Sequence, residues 1–377
     1  MRVLLDATAI PTDLGGVGRY VVELIPELAA AGLDLTVVTR PELVNQIGAR
    51  AGSARVLPSG TVTDFRPGRF AWEQVGLPRL ARAVHADVLH SPHYTMPAAV
   101  GAARVVTVHD ATFFSDPGAH AALKRVVFRR AIRRAMARAD AVVVPSQATA
   151  DEVMHYAGGD AGRIHVAPHG VDRSVFHPVA PDECARVAVT LGLDGAPYVA
   201  FLGTLEPRKN VPALVAGWQQ AVAGMSRPPV LVLAGTLGWD AEVAAAVAAA
   251  PPPLRVVLPG YVPLENLAGL LSGAVAVVYP SRGEGFGLPV LEAMACGAPV
   301  LTTRALSLPE VGGDAVAYCE PEVGSIGTAL RALLTDGGLR ARLSTAGVAR
   351  AEKFTWARSA QAHVRAYEAA SAHRGSR

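Results

Sequence analysis

The sequence predicts an α/β protein made of two doubly wound parallel-sheet domains, and three observations predict it. Short apolar runs alternate with stretches of helical periodicity along the chain, the pattern of parallel strands joined by crossover helices. The runs are apolar on consecutive residues, as in strands buried on both faces. The pattern also occurs twice, in two similar halves joined by a loop-like stretch near residues 168–181. A chain of 377 residues has room for two such domains and little more.

In the first half the runs at residues 3–5, 35–38, 88–90, 105–108, 141–144 and 164–167 read as strands. In the second half those at 198–202, 230–234, 255–258, 274–279, 300–302 and 315–318 do. The expected domains are residues 1–178 and 179–354, with helical periodicity resuming at Pro181-Asp182-Glu183. A last amphipathic helix is expected over 355–372, capped by Thr355 and reading as helix through Tyr367, with a frayed end from Ser371 on.

Composition narrows the class. Hydrophobic residues make up 51% and charged residues 18%, which supports large cores and excludes global disorder. No apolar run reaches the roughly 20 residues of a membrane-spanning helix. Met1-Arg2-Val3-Leu4-Leu5-Asp6 lacks the apolar stretch of a signal peptide. Cys184, Cys296 and Cys319 suggest neither a disulfide framework nor a zinc site, so a cytoplasmic protein is expected. Net charge is +3, and its excess lies in the first 180 residues, which hold 19 Lys or Arg against 16 Asp or Glu. Seven bases from Lys124 to Arg138 load a predicted helix over 121–139, with Leu123, Val126, Val127, Ala131 and Ala135 expected to face inward. That helix reads either as a solvated face or as a contact for an anionic membrane or charged lipid acceptor. No nucleic-acid motif accompanies it, and no nucleic-acid partner is expected.

The chemistry concentrates in residues 281–299. A strand ends at Tyr279-Pro280-Ser281, and Arg282-Gly283-Glu284-Gly285-Phe286-Gly287-Leu288-Pro289 follows. A helix then runs into Met294-Ala295-Cys296-Gly297. Ligands of such units bind beyond the carboxyl end of the strand. Glycines let the backbone approach a ligand, and a helix start offers free N–H groups to a phosphate. Glu284 in the loop and Glu292, expected in the first helical turn, are carboxylates suited to sugar hydroxyls. Phe286 is expected to be exposed. Alone, the segment is equally a tight turn with a capped helix.

This segment, with Glu284-Gly285-Phe286-Gly287-Leu288-Pro289, Glu292 and Met294-Ala295-Cys296-Gly297, resembles the signature of retaining glycosyltransferase family 4. The resemblance implies the GT-B architecture, two facing Rossmann-like domains with a cleft between them and a last helix that crosses back to the first domain. It implies that Glu284 contacts the donor sugar, Glu292 the nucleotide ribose, and the Gly285–Leu288 amides the diphosphate.

Three more motifs join it. Gly203-Thr204-Leu205-Glu206-Pro207-Arg208-Lys209-Asn210 follows a strand, and its Arg208 and Lys209 suit a diphosphate leaving group, though they also read as solvated bases at a helix start. It resembles the family's phosphate loop, with Lys209 matching, but Thr204 stands where many members carry Arg. Either Arg208 supplies the second charge or the site has one. Asp13-Leu14-Gly15-Gly16-Val17-Gly18-Arg19-Tyr20 is a glycine loop, either structural or, as the resemblance implies, one whose Gly16 and Gly18 face the donor phosphates and whose Arg19 serves the acceptor side. His109, ending the strand Val105-Val106-Thr107-Val108, matches the family's donor-sugar histidine. Asp110, His93 and Tyr94 are weaker acceptor-side candidates, Asp110 suited either to orienting His109 or to meeting the acceptor.

The resemblance implies a retaining hexosyltransferase with a nucleotide-sugar donor and no essential metal or cofactor. The phosphate-loop motif looks like that of bacterial mannosyltransferases using GDP-mannose. UDP- or ADP-glucose is the alternative donor. A nucleotide-sugar epimerase and a non-catalytic sugar-binding relative are the alternative classes. The acceptor would be a glycan, an oligosaccharide or a lipid-linked saccharide.

Overall fold

The apolar runs of the first half form seven strands: β1 (Arg2–Asp6), β2 (Asp34–Thr39), β3 (Arg55–Pro58), β4 (Val88–Ser91), β5 (Ala103–Thr107), β6 (Ala141–Val144) and β7 (Ile164–Val166). All pair in parallel, in the order β3-β2-β1-β4-β5-β6-β7. β3 is not among the expected strands. It is a four-residue edge strand, partly exposed and ending in Pro58, so it carries no apolar run to betray it. The computed structural model describes residues 1–10, 15–193 and 195–375. Two helices of this half bear on function, α1 (Gly16–Ala30) and α2 (Ala122–Arg138).

The second half forms β8 (Tyr198–Leu202), β9 (Val230–Ala234), β10 (Val256–Gly260), β11 (Ala276–Tyr279), β12 (Val300–Thr303) and β13 (Ala317–Cys319), again all parallel, in the order β10-β9-β8-β11-β12-β13. Its functional helices are α3 (Val211–Val222) and α4 (Leu288–Ala295). Both sheets are wound outward from their first strand. The reversal between β1 and β4, and between β8 and β11, opens a crevice at the carboxyl ends of those strands.

The chain divides into a unit of Met1–Gly170 plus the stretch from Thr355 onward, and a unit of Val171–Phe354. The sequence-based boundary at 178 therefore falls inside the second unit. Val171 and Phe176 belong to its core, and the Val171 N–H bonds the Phe354 carbonyl at 3.1 Å.

The last helix, α5 (Trp356–Gly375), joins the first unit. Thr355 Oγ1 caps it by accepting from the Arg358 N–H at 3.2 Å. Trp356, Ala360, Ala366, Tyr367 and Ala370 bury into the core formed by α1 and the strands. Gly170 permits that return, since a Cβ there would lie 2.2 Å from the Trp356 nitrogen. The fraying expected from Ser371 is corrected: the helix continues to Gly375, while Ser376 and Arg377 lie outside the described residues. The inward face of α2 is corrected too. Leu123 is 77% exposed and Val126 is exposed; Ala135 is buried as expected, and Ile132 and Met136 are buried with it. Among the described residues no helix is long and apolar enough to cross a membrane.

Candidate functional site

The second unit gathers charge at its switch point. β8 ends at Leu202, and Gly203 follows with a φ of +148° that an L side chain rarely adopts. The chain then makes a turn at Pro207–Lys209, and α3 begins after Asn210. The neighbouring loop after β11 is stitched to this turn. Arg282 N–H donates to the Arg208 carbonyl at 2.9 Å, and Ser281 Oγ lies 3.2 Å from it. Arg208 Nη1 donates to the Gly283 carbonyl at 2.5 Å.

Glu284 is the hub. Arg208 pairs with its Oε2, and its Oε1 accepts from Tyr279 Oη and Ser281 Oγ, each at 2.8 Å. Lys209 donates to Tyr279 Oη and lies 3.6 Å from Glu284 Oε1. Arg208 also bonds Glu206 Oε1 at 2.6 Å. Burial by itself would raise the Glu284 carboxyl; the Arg208 guanidinium and Lys209 ammonium outweigh it and hold the group down at about 2. Burial pulls the Lys209 ammonium below its ordinary value, with Glu284 opposing. Burial also pushes the Tyr279 phenol well up, so it stays neutral.

This geometry corrects the idea of solvated bases at a helix start. Lys209 is buried, Arg208 and Lys209 precede α3, and their charge is balanced within the chain by Glu206 and Glu284. Of the two readings left open for Arg208, the structure brings its guanidinium to the same carboxylate as Lys209. Thr204, where many members carry Arg, instead shares a 3.3 Å contact with Thr236 through their hydroxyls.

The glycine loop leads into α4 through Gly287, at φ +105°, with Leu288 and Pro289 in the first turn. Ser307 Oγ clamps the loop from between the carbonyls of Glu284, at 2.7 Å, and Phe286, at 2.8 Å, which share its one hydrogen. Phe286 is not exposed. It is 6% accessible and meets Phe354 edge-on at 5.9 Å, so the ring anchors the loop. Glu292 is not in the first turn of α4. It sits one turn deeper and is 2% exposed.

The first unit gathers histidines instead. The expected glycine loop is mostly helix: Gly15 is the N-cap, and Gly16, Gly18 and Arg19 form the first turn of α1. Asp13 and Leu14 lie outside the described residues. A Cβ at Gly15 or Gly16 would meet nothing within 4 Å among the described residues, and neither has positive φ. Among the described residues nothing demands glycine there. His109 Nε2 donates to the Pro92 carbonyl at 2.7 Å, which leaves the Nδ1 lone pair of the neutral ring. Burial lowers its pKa, with the Pro92 bond opposing. Asp110 does not orient His109. Its Oδ1 accepts from Thr112 N–H at 3.0 Å and Thr112 Oγ1 at 2.7 Å. His93 and Tyr94 stand beside His109, with ring centroids at 5.9 and 5.7 Å. Burial, then the charges of His109, Arg69 and Lys124, push His93 down to about 3.

Sequence reasoning missed Glu206, Tyr279 and Tyr20. Glu206 lies inside the quoted motif, and its opposite charge two residues from Arg208 was the available signal. Tyr279, a phenol ending an otherwise aliphatic strand, was another.

Two features thus define the class: paired Rossmann-type sheets, and a cationic glycine-loop site at the switch point of the second. The chain belongs to glycosyltransferase family 4 and is a glycosyltransferase. Residues 14–175 match the model for Glycosyltransferase Family 4, and residues 189–350 match that for Glycosyl transferases group 1. It is similar to O-antigen chain mannosyltransferase B of Escherichia coli, at 29% identity over 98% of this chain and 100% of that one. It is also similar to the D-inositol 3-phosphate glycosyltransferase of Xylanimonas cellulosilytica, at 31% identity over 97% and 94%. Among solved structures, Anabaena HepE in complex with UDP and glucose shares the fold, with a TM-score of 0.75, 19% identity and coverage of 97% and 98%. Sucrose-phosphate synthase from Thermosynechococcus elongatus shares it as well, with a TM-score of 0.76, 21% identity and 98% of each chain.

Proposed function

We propose that the protein is a retaining mannosyltransferase that takes mannose from GDP-mannose and transfers it to a glycan, oligosaccharide or lipid-linked saccharide. The observation that carries the donor half of this reading is the convergence of Arg208 and Lys209 on Glu284, beside the start of α4. A diphosphate entering there would meet two cations and the loop amides, and would replace Glu206 and Glu284 as their counter-charge. Glu284, a carboxylate at any ordinary pH, would then be released toward sugar hydroxyls. Glu292 is assigned to the ribose. His109 is assigned to a hydroxyl of the transferred sugar, accepted at Nδ1. Mannose is favoured by the motif around Arg208 and by the E. coli relative, a mannosyltransferase.

In this mechanism the bond from the anomeric carbon to the diphosphate oxygen breaks, and its electron pair leaves with the phosphate. The acceptor oxygen bonds the same face, and its proton passes to a phosphate oxygen. No protein nucleophile is assigned. Calorimetry with GDP-, UDP- and ADP-sugars tests the donor: GDP-mannose binding at least tenfold tighter than the others is expected. Equal or tighter UDP- or ADP-glucose binding overturns the mannose assignment, and binding of none overturns the enzyme.

The basic helix α2 is proposed to meet an anionic membrane. Leu123 and Val126 are exposed beside Lys124 and Arg130, a pairing suited to an anionic interface. Not all its charge is free for that role: Arg129 and Arg133 lie over the Phe114 ring, each at 5.2 Å. Sedimentation with anionic vesicles that falls as salt rises is expected; absent or salt-insensitive binding overturns the contact.

A further inference from the structure

A line of hydrogen bonds runs through the core of the first unit and joins four of its elements. Tyr367 Oη meets His90 Nδ1 at 2.8 Å, and His90 Nε2 meets Thr107 Oγ1 at 2.8 Å. Thr107 Oγ1 meets Tyr20 Oη at 2.9 Å, and Tyr20 Oη meets His363 Nε2 at 2.7 Å. His363 Nδ1 meets the Ser359 carbonyl at 2.7 Å. Tyr20, Tyr367, His90, Thr107 and His363 are all buried. The line ties β4, β5 and α1 to α5.

Valence decides which way each proton points. A carbonyl only accepts, so His363 Nδ1 carries a hydrogen. In a neutral ring His363 Nε2 must then accept, and Tyr20 must donate to it. The Tyr20 oxygen therefore accepts from Thr107, Thr107 accepts from His90 Nε2–H, and His90 Nδ1 accepts from Tyr367. Every group donates once along the line, and no neutral alternative satisfies all five bonds. A proton added to His363 would reverse each donor and move the His90 hydrogen to Nδ1. Burial opposes that proton and holds His363 at about 4. Among the described residues the ionisable groups facing His363 are Tyr20, His90, Tyr367 and, beyond Tyr20, His109 and His169, and none of them is anionic at neutral pH.

The midpoint of the line is also its functional end. The Tyr20 ring meets His109 edge-on, with centroids 5.2 Å apart and planes at 81°, and it lies on His169 at 4.8 Å. We propose that Tyr20 is a positioning residue for His109, held by a one-directional hydrogen-bond relay from Tyr367 through His90 and Thr107 to His363. This rests on the assignment of His109 to the transferred sugar. The ring of Tyr20 fixes how His109 can turn about its Pro92 bond, and hence where Nδ1 points. The relay fixes the Tyr20 ring, and α5 supplies both ends of the relay.

Three substitutions and one spectrum test it. Tyr20→Phe keeps the ring and removes the O–H; kcat should fall about tenfold with the donor KM within twofold. His363→Gln can still present an acceptor to Tyr20 and should keep more than half of kcat, whereas His363→Leu should fall as far as Tyr20→Phe. Packing alone would leave Tyr20→Phe near wild type and make His363→Leu no worse than His363→Gln; either result overturns the proposal. Nitrogen-15 spectra of histidine-labelled protein at pH 7.5 should show the Nδ1–H tautomer for His363 and Nε2–H for His90. The opposite tautomer at His90 overturns the relay even where a variant fails to fold. His109→Ala separates the underlying reading: unchanged transfer removes the sugar role of His109 while the tautomers still report on the relay.

Discussion

The two units share a strand order and a switch point, yet they fill it with opposite chemistry. In the second unit the point holds two cations and two carboxylates, each stabilised by its opposite. In the first the cluster around His109 holds histidines and tyrosines that burial keeps uncharged, and charge is confined to its flank, where Asp6 ends β1 and Arg69 pairs with Glu73 at 3.2 Å. The fold supplies a place at the strand ends, and the side chains decide what the place can do. A site for a dianionic leaving group needs charge in place before the reaction, because reorganising water there would cost more than a fixed ion pair. A site that only orients hydroxyls is better served by neutral donors and acceptors.

The sharpest way to break this contrast is to remove the hub of the charged site. Glu284→Ala should lower transfer on the order of 100-fold in a steady-state assay. Activity within twofold of wild type would end its assigned role. Arg208→Lys keeps the charge but loses the forked donors that reach Glu206, Gly283 and Glu284, so the dissociation constant for the nucleoside diphosphate should rise roughly tenfold by calorimetry.

Acid separates the units thermodynamically. An unfolded histidine takes a proton near pH 6.5, but folded His363 does not until about 4. As pH falls through that window the unfolded state binds the extra proton; His363 alone should cost the first unit about 3 kcal/mol, and the other buried histidines, lowered in the same direction, add to the loss. Glu284 has the opposite sign. Its folded value near 2 lies below the unfolded 4.5, so its contribution is complete above 4.5 and is lost only as pH falls toward 2. Between pH 6.5 and 4.5, hydrogen-exchange protection, corrected for intrinsic rates, should fall in β1 and β5 and hold in β8 and β11. The smallest effect is expected at Gly16→Ala. Nothing in the described structure opposes the methyl group, and alanine favours helix, so stability should rise by about 0.5 kcal/mol. Transfer should nonetheless fall severalfold if a substrate approaches that turn; unchanged kinetics would make the glycine a matter of helix geometry alone.

The strands other than β3, and the charged site, were legible for one reason: their signals are local. An apolar run such as Val230–Ala234 announces a buried parallel strand, and Arg208, Lys209 and Glu284 stand in glycine-marked turns directly after strands. Depth was less legible. Phe286 reads as exposed between glycines, but the turn at Gly287 folds its ring against Phe354. Glu292 reads as a first-turn acid because Pro289 looks like the first helical residue, when Leu288 is. The relay was illegible altogether. Its partners are single residues without periodicity, and Tyr20 and His363 stand 343 positions apart.

That separation sets an order of assembly. The second unit is one continuous stretch, complete once Phe354 has been made. The first is discontinuous: its sheet is synthesised before the second unit, but α5 only after it. On the ribosome, the unit begun first is therefore the one finished last. Until α5 docks, α1 lacks its partner and Tyr20 has no histidine to donate to, so the half that carries His109 cannot mature before the half that carries Glu284.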